Sequence, residues 1–187
     1  TIYTTSAASE VGKPIGQMMG LVANGFFPAG TANGPSANPF QSFGFVSQGD
    51  VRYIDRTGDN MIDVNDRVAM GYSDLPEYTY SLPMDLSFKR FYLNIMGQGT
   101  MHSSMMMNGN SLMIPLNNSY NAFKYAGKRW TPETASTAEY PRLSTQLNEN
   151  NVQSSSLWLR STSYFKLRDV ELGYELPEKF LHKIRVN

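Results

Sequence analysis

The densest chemistry in the chain lies in Asp55-Arg56-Thr57-Gly58-Asp59-Asn60-Met61-Ile62-Asp63-Val64-Asn65-Asp66. Oxygen-bearing side chains fall at loop positions 1, 3, 5, 9 and 12, the spacing with which an EF-hand-type loop wraps Ca²⁺. The ligand set would be Asp55, Thr57, Asp59, the main-chain carbonyl of Met61, Asp63 and Asp66. Two residues depart from that pattern. Asn60 stands where a Gly is usual, although Asn tolerates the left-handed conformation better than most residues. Asp66 stands where a Glu is usual, which shortens the reach of a bidentate carboxylate. The alternative is an acidic turn whose Asp and Asn side chains hydrogen-bond their own backbone. No cofactor is required on this reading, and a structural Ca²⁺ is the one ion the spacing would suit.

No catalytic constellation accompanies this loop. His102 and His182 sit in unrelated contexts, and there is no nucleophile elbow, phosphate loop or zinc helix motif. The chain has no Cys, which removes a thiol nucleophile, a disulfide framework and a Cys-ligated zinc. Asp85 is a single carboxylate and makes no site. Trp130 and Trp158 have the rings to stack on sugars, but burial by packing is the commoner role for such residues. The sequence therefore reads as a non-enzyme.

The elements that position these residues follow from composition and pattern. In 187 residues, 16 basic and 16 acidic side chains cancel, and that balance argues against a nucleic-acid partner. Only 17% of residues are charged and 12% are aromatic, against about a quarter charged in a soluble domain. No apolar run is long enough for a transmembrane helix, whereas the alternating strands of a membrane β-barrel escape that test. Tyr78, Tyr80, Leu82, Met84, Leu86 and Phe88 alternate with Thr79, Ser81, Pro83, Asp85 and Ser87, which predicts a strand with one apolar face. After Lys89-Arg90 the apolar set continues as Phe91, Leu93 and Ile95, with Gly97 and Gly99 in the same row. Two such runs around a two-residue break predict a β-hairpin. Lys-Arg is a poor type I′ pair, so a longer loop that takes in Phe88 and Phe91 is expected. Each arm matches the 9–11 or so residues of a tilted membrane strand better than the five or six typical of soluble sheets.

Elsewhere the pattern is weaker. Dense Gly and Pro in residues 1–50 leave room only for short strands, with Ile15 to Val22 as the candidate and Pro28 to Gln41 as an irregular loop. Residues 101–156 lose the alternation and read as one long loop. In the last patterned stretch, Phe165 and Leu167 share one parity, and Val170, Leu172, Tyr174 and Leu176 the other. Such a change predicts a β-bulge near Arg168-Asp169. A helical turn from Pro177 to His182 and a further strand from Lys183 to Asn187 are expected. The start at Thr1-Ile2-Tyr3 and the open end at Asn187 suggest a piece of a longer protein. Five or six candidate strands also fall short of the eight or so of the smallest membrane barrel.

Taken in order, several segments resemble the SusC/RagA-like TonB-dependent outer-membrane transporters. Gly49-Asp50-Val51-Arg52-Tyr53-Ile54-Asp55 with the Asp59 to Arg67 turn is similar to the family's acidic hallmark. Val11 to Gly16 with Asn24-Gly25-Phe26-Phe27, Pro76 to Tyr80 and Phe88 to Phe91 are similar to further segments. So are Arg129-Trp130-Thr131-Pro132-Glu133, Tyr140-Pro141-Arg142-Leu143, and Ser163 to Pro177. The resemblance implies an all-β fold, part of a large antiparallel transmembrane β-barrel with long extracellular loops. Residues 1–187 would be a partial barrel from its C-terminal half, without the plug domain or closing strands, and 101–156 a long extracellular loop.

The function so implied is import of glycan fragments or peptides across the outer membrane. TonB would supply the energy through an N-terminal region outside this chain, and a SusD-like lipoprotein would be the partner. Tyr78, Tyr80, Leu82, Met84, Leu86, Phe91, Leu93 and Ile95 would then face lipid. The competing reading is a soluble Ca²⁺-containing β-sandwich that binds carbohydrate. It requires Tyr80, Leu82, Met84 and Leu86 to be buried under a second sheet.

Overall fold

The computed structural model describes residues 11–31, 39–108 and 121–177. In chain order the strands are β1 (Gln17–Gly20), β2 (Ala23–Phe26), β3 (Phe40–Gln41), β4 (Val51–Tyr53), β5 (Met61–Ile62), β6 (Val68–Ser73), β7 (Tyr78–Phe88), β8 (Phe91–Met101), β9 (Ser104–Met106), β10 (Leu159–Ser161) and β11 (Tyr164–Tyr174). Among the described residues two short 3₁₀ segments, Val64–Asp66 and Lys124–Lys128, interrupt them. The chain forms two compact units, Thr1–Asp74 with Ser104–Ser161, and Leu75–Ser103 with Thr162–Asn187.

The first unit is built from short strands, as its Gly and Pro content dictates. β1 pairs with β6, β2 with β4 and β9 with β10, all antiparallel, while β3 and β5 run parallel. Leu21, Val51, Tyr53 and Ile62 form the buried core, with Phe26, Phe43 and Leu157 packed on it. β4 has β2 on one edge only, and polar side chains take the place of a strand on the other. Val51 donates its N–H to Asn151 Oδ1 at 2.8 Å, and its carbonyl accepts from Asn150 Nδ2 at 2.7 Å and Gln41 Nε2 at 3.2 Å. Tyr53 donates its N–H to Gln41 Oε1 at 3.3 Å and its hydroxyl to the Asn150 carbonyl at 2.7 Å. Burial of these donors and acceptors is tolerated because they pair with one another, although Asn150 Oδ1 finds no partner among the described residues.

Asp50 anchors the same region. Its buried carboxylate accepts from Arg142 Nε at 2.8 Å, Asn151 Nδ2 at 2.9 Å and the Ser47 N–H at 2.7 Å. Of the stretch 101–156 expected to be one long loop, the described residues 104–108 and 121–156 are thereby folded into the first unit. Hydrophobic alternation misses this segment because amides and a guanidinium hold it, not apolar rows. Of the expected loop Pro28 to Gln41, Thr31 closes a turn on Pro28 and Phe40–Gln41 is strand β3, while 32–38 lie outside the described residues. The helical turn to His182 and the strand from Lys183 likewise fall outside them.

The second unit is one sheet in the order β11-β8-β7, antiparallel throughout. β7 and β8 form the expected hairpin, but its loop is only Lys89-Arg90, because Phe88 and Phe91 pair directly. Lys89 takes φ 57 to close it, a left-handed conformation that an L side chain accepts at some strain. β11 carries the expected bulge, a register shift between Leu167 and Asp169 that leaves Arg168 unpaired.

Gly97 and Gly99 occupy apolar-face positions for a steric reason. A Cβ on Gly97 would lie 2.6 Å from Phe165 Cζ, and one on Gly99 would meet the Tyr80 ring. The Tyr80 and Phe165 rings stack across this gap at 6.2 Å and 5°. Neighbouring aromatics thus cover the bare backbone. Gly97→Val should displace Phe165 and destabilise the sheet by about 1–3 kcal/mol, the usual penalty for overpacking. Denaturant unfolding of the full-length protein, followed by loss of its compact electrophoretic form, measures this.

Candidate functional site

The three-stranded sheet has two chemically distinct faces. Because opposed residues in a pleated sheet share a face, the register assembles rows across it. The rows are Tyr80–Gly99–Phe165, Leu82–Gly97–Leu167, Met84–Ile95–Val170, Leu86–Leu93–Leu172 and Phe88–Phe91–Tyr174. Tyr78, opposite Met101, extends the face at one end. The eight apolar residues singled out on β7 and β8 are therefore brought onto one surface. Phe165, Leu167, Val170, Leu172 and Tyr174 complete it from β11. Their parity was visible in sequence, but which strand they would join was not. Leu82, Met84 and Leu86 keep 58%, 43% and 53% of their surface exposed. The sandwich alternative needs these side chains buried, and they are not. Aromatic rings gather at both ends, with Tyr80 stacked on Phe165 and Phe91 against Tyr174 at 4.7 Å.

The opposite face is polar. Its rows are Thr79–Thr100–Tyr164, Ser81–Gln98–Lys166, Pro83–Met96–Asp169, Asp85–Asn94–Glu171 and Ser87–Tyr92–Gly173. Glu171 accepts from the Tyr92 hydroxyl at 3.2 Å and from Asn94 Nδ2 at 3.2 Å. Arg168 Nη1 donates to Gln98 Oε1 at 3.0 Å. Removing the bulge residue would leave the apolar and polar rows continuous, so Arg168 is an insertion that the face pattern does not require.

The acidic loop is organised by its own backbone. Asp66, fully buried, accepts at Oδ1 from the N–H groups of Arg56 (2.7 Å) and Thr57 (3.0 Å) and from Thr57 Oγ1 (3.1 Å). Its Oδ2 accepts from the Asp63 N–H at 2.9 Å. Asp55 accepts from the Gly58 and Asn60 N–H groups at 2.6 and 2.8 Å, and Asp59 from Met61 N–H at 2.9 Å. Asp63 caps the 3₁₀ turn Val64–Asp66 through the Asn65 N–H at 2.7 Å. Asn60 takes φ 61, the conformation its position requires. Thr57 Oγ1 also lies 3.2 Å from Asp55 Oδ1, so its single hydroxyl proton is within reach of two carboxylates. The six proposed ligands thus lie in one loop, with their carboxylates turned to chain donors. Among the described residues no group of three or more His, Cys, Asp or Glu is placed to hold a metal ion.

The remaining candidates resolve simply. Trp130 and Trp158 are buried, and Trp158 Nε1 donates to the Asn151 carbonyl at 2.9 Å. Both pack. His102 Nδ1 lies 2.8 Å from Glu77 Oε2 at the end of β7 and β8, with Tyr78 edge-on to its ring, and His182 lies outside the described residues. Asp85 faces Asn94 across the polar face.

A TonB-dependent receptor, P3 of Formosa agariphila, is 27% identical to this chain over 165 residues. The chain is similar to a TonB-dependent receptor. That alignment covers 88% of the chain but only 15% of the receptor's length. The RagAB peptide importer in its closed-closed state matches with a TM-score of 0.59 at 16% identity, over 88% of this chain and 17% of that one. At that identity the likeness is one of fold: the chain is all-β, and its open sheets have the form of part of a barrel. No family model matches the chain.

The loop carries its own pH dependence. Hydrogen bonds from the backbone, that of Gly58 first, hold the Asp55 carboxyl below its ordinary value of 3.8. A depressed carboxylate stabilises the fold above its unfolded pKa and loses that contribution as pH falls through the lower folded value. Amide hydrogen exchange at Gly58 and Asn60 should therefore stay slow at pH 5 and quicken only at pH values below the ordinary carboxylate range. Asp66→Ala strands three backbone N–H groups and should cost about 2–4 kcal/mol, seen as protease cleavage between residues 55 and 67.

Proposed function

We propose that this chain is part of the wall of a SusC/RagA-type TonB-dependent outer-membrane transporter. The observation that carries this reading is the two-faced sheet, in which three eleven-residue strands present one continuous apolar face edged by aromatics. Ten residue steps separate Tyr78 from Phe88. At about 3.4 Å per step and a tilt of about 40°, they span about 26 Å, close to the apolar band of an outer-membrane barrel. On this reading Tyr78, Tyr80, Leu82, Met84, Leu86, Phe91, Leu93 and Ile95 face lipid, joined by the apolar residues of β11. The polar face lines the interior. Similarity to a TonB-dependent receptor and the fold shared with RagAB support the same placement.

The whole protein would import glycan fragments or peptides, driven by TonB through an N-terminal region outside this chain. A SusD-like lipoprotein would be its partner, and the 101–156 segment would lie on the extracellular side. The acidic loop is a turn satisfied by its own backbone, so calorimetric titration of the full-length protein with Ca²⁺ should give no heat. Binding heat that disappears in Asp59→Ala would restore the ion. Ile95→Arg, at the middle of the apolar band, should impair membrane insertion by about 2–4 kcal/mol. Asn94→Arg, next in sequence but beside Glu171, should insert normally. Outer-membrane fractionation with heat-modifiable electrophoretic mobility separates the two, and equal behaviour would overturn the assignment of faces.

A further inference from the structure

Without Arg168, β11 would be a regular strand. Lys166, Asp169, Glu171 and Gly173 would alternate with Leu167, Val170, Leu172 and Tyr174, because Leu167 pairs with Gly97, Asp169 with Met96 and Val170 with Ile95 in unbroken order along β8. Neither the apolar pattern nor the ladder needs the extra residue, and it interrupts both. Bulges of this kind commonly re-aim a side chain. Here the added side chain is a guanidinium on the polar face, fixed by its bond to Gln98 Oε1.

The surroundings of that guanidinium are rich in donors. Gln98 shares its row with Ser81 on one side and Lys166 on the other. Lys166 Nζ lies 5.6 Å from the centroid of the Tyr164 ring. Gln98 has its carbonyl oxygen engaged by Arg168, which leaves its amide nitrogen as a donor. Glu171 already accepts from Tyr92 and Asn94. Among the described residues, no carboxylate forms an ion pair with Lys166 or Arg168. A planar guanidinium fork bonded to an amide, with an ammonium-bearing and a hydroxyl-bearing residue in that amide's row, is a donor set that carboxylates accept from.

From this we propose that Arg168, Lys166, Gln98 and Ser81 form a carboxylate-recognition site on the polar face, built by the bulge at Arg168. The site rests on the reading that this face lines a barrel interior. The carboxylate belongs either to a transported solute or to an Asp or Glu of another segment of the full-length protein.

The test uses the full-length transporter in the outer membrane, as wild type, Arg168→Ala, Arg168→Lys and a deletion of Arg168. Cells receive a pool of short oligosaccharides and peptides in matched neutral and carboxylate-bearing forms, and uptake is read by mass spectrometry. For a solute carboxylate, Arg168→Ala lowers uptake of the acidic members relative to the neutral ones by about tenfold, the scale of one lost charge-assisted contact. Arg168→Lys restores part of it. For a carboxylate within the protein, the uptake ratio holds, but Arg168→Ala admits a bulky antibiotic that the wild type excludes. Unchanged selectivity and unchanged exclusion in Arg168→Ala, with defects only in the deletion, would make the bulge a device of sheet curvature and overturn the proposal. A wild type that does not fractionate as a heat-modifiable outer-membrane protein overturns the transport reading itself, and the site with it.

Discussion

One buried carboxylate joins parts of the first unit that lie far apart in sequence. Asp50 accepts from Arg142 and Asn151, 92 and 101 residues away. Closing loops of that length costs conformational entropy that the small apolar core of Leu21, Val51, Tyr53 and Ile62 meets only with help. A charge buried without a partner would be strongly destabilising, and one held by a guanidinium, an amide and a backbone N–H is tolerated. Once Asp50 and Arg142 are locked, Asn150 and Asn151 are delivered to the open edge of β4. Their side chains then do there what a neighbouring strand's backbone would do. The short strands and the polar closure belong together, because a unit too rich in Gly and Pro for long ladders must satisfy its backbone by other means.

The second unit obeys a different constraint. Its order is carried by alternation alone, and a strict period of two admits no slip, since a one-residue shift would exchange the two faces. The bulge at Arg168 shows how strongly that constraint acts. One additional residue is expelled from the ladder, and the rows on both sides of it stay in phase. The glycines of β8 obey the same rule. They keep their place in the apolar row, and Tyr80 and Phe165 supply the surface that they lack.

This contrast explains what could be read before the structure was known. β7, β8, the hairpin and the bulge were legible because their information is local and periodic. The rows from β11 were half legible: the parity of Phe165 to Tyr174 was evident, and the pairing with β8 was not. The ties from Asp50 and Gln41 to Arg142, Asn150 and Asn151 were hidden, because side-chain amides pairing with a distant backbone leave no periodic trace. Asp50 and Arg142 did stand within segments that resemble family motifs, so the signal was present, but as identity and not as chemistry. The acidic loop lies between these cases. Its spacing was legible, yet the same spacing suits an ion or the chain's own N–H groups, and only the hydrogen-bond pattern shows where the carboxylates point.

Pro83 follows from the same geometry. In a hairpin with a two-residue loop, the residues flanking the loop, Phe88 and Phe91, exchange both backbone hydrogen bonds, and bonded pairs then recur at every second residue. Leu86, Met84 and Leu82 therefore direct their N–H groups at β8. Ser87 and Asp85 direct theirs outward. The nitrogen of Pro83 lies on the free edge of β7, where its missing hydrogen breaks no bond to β8 and the eleven-residue ladder stays whole. A proline is admissible in a strand this regular only at such a position. Any strand that pairs with the outer edge of β7 meets one absent donor there, level with Met96 and Asp169 and hence beside the bulge. The two irregularities of this sheet thus share one height, and they leave the rows above and below them regular.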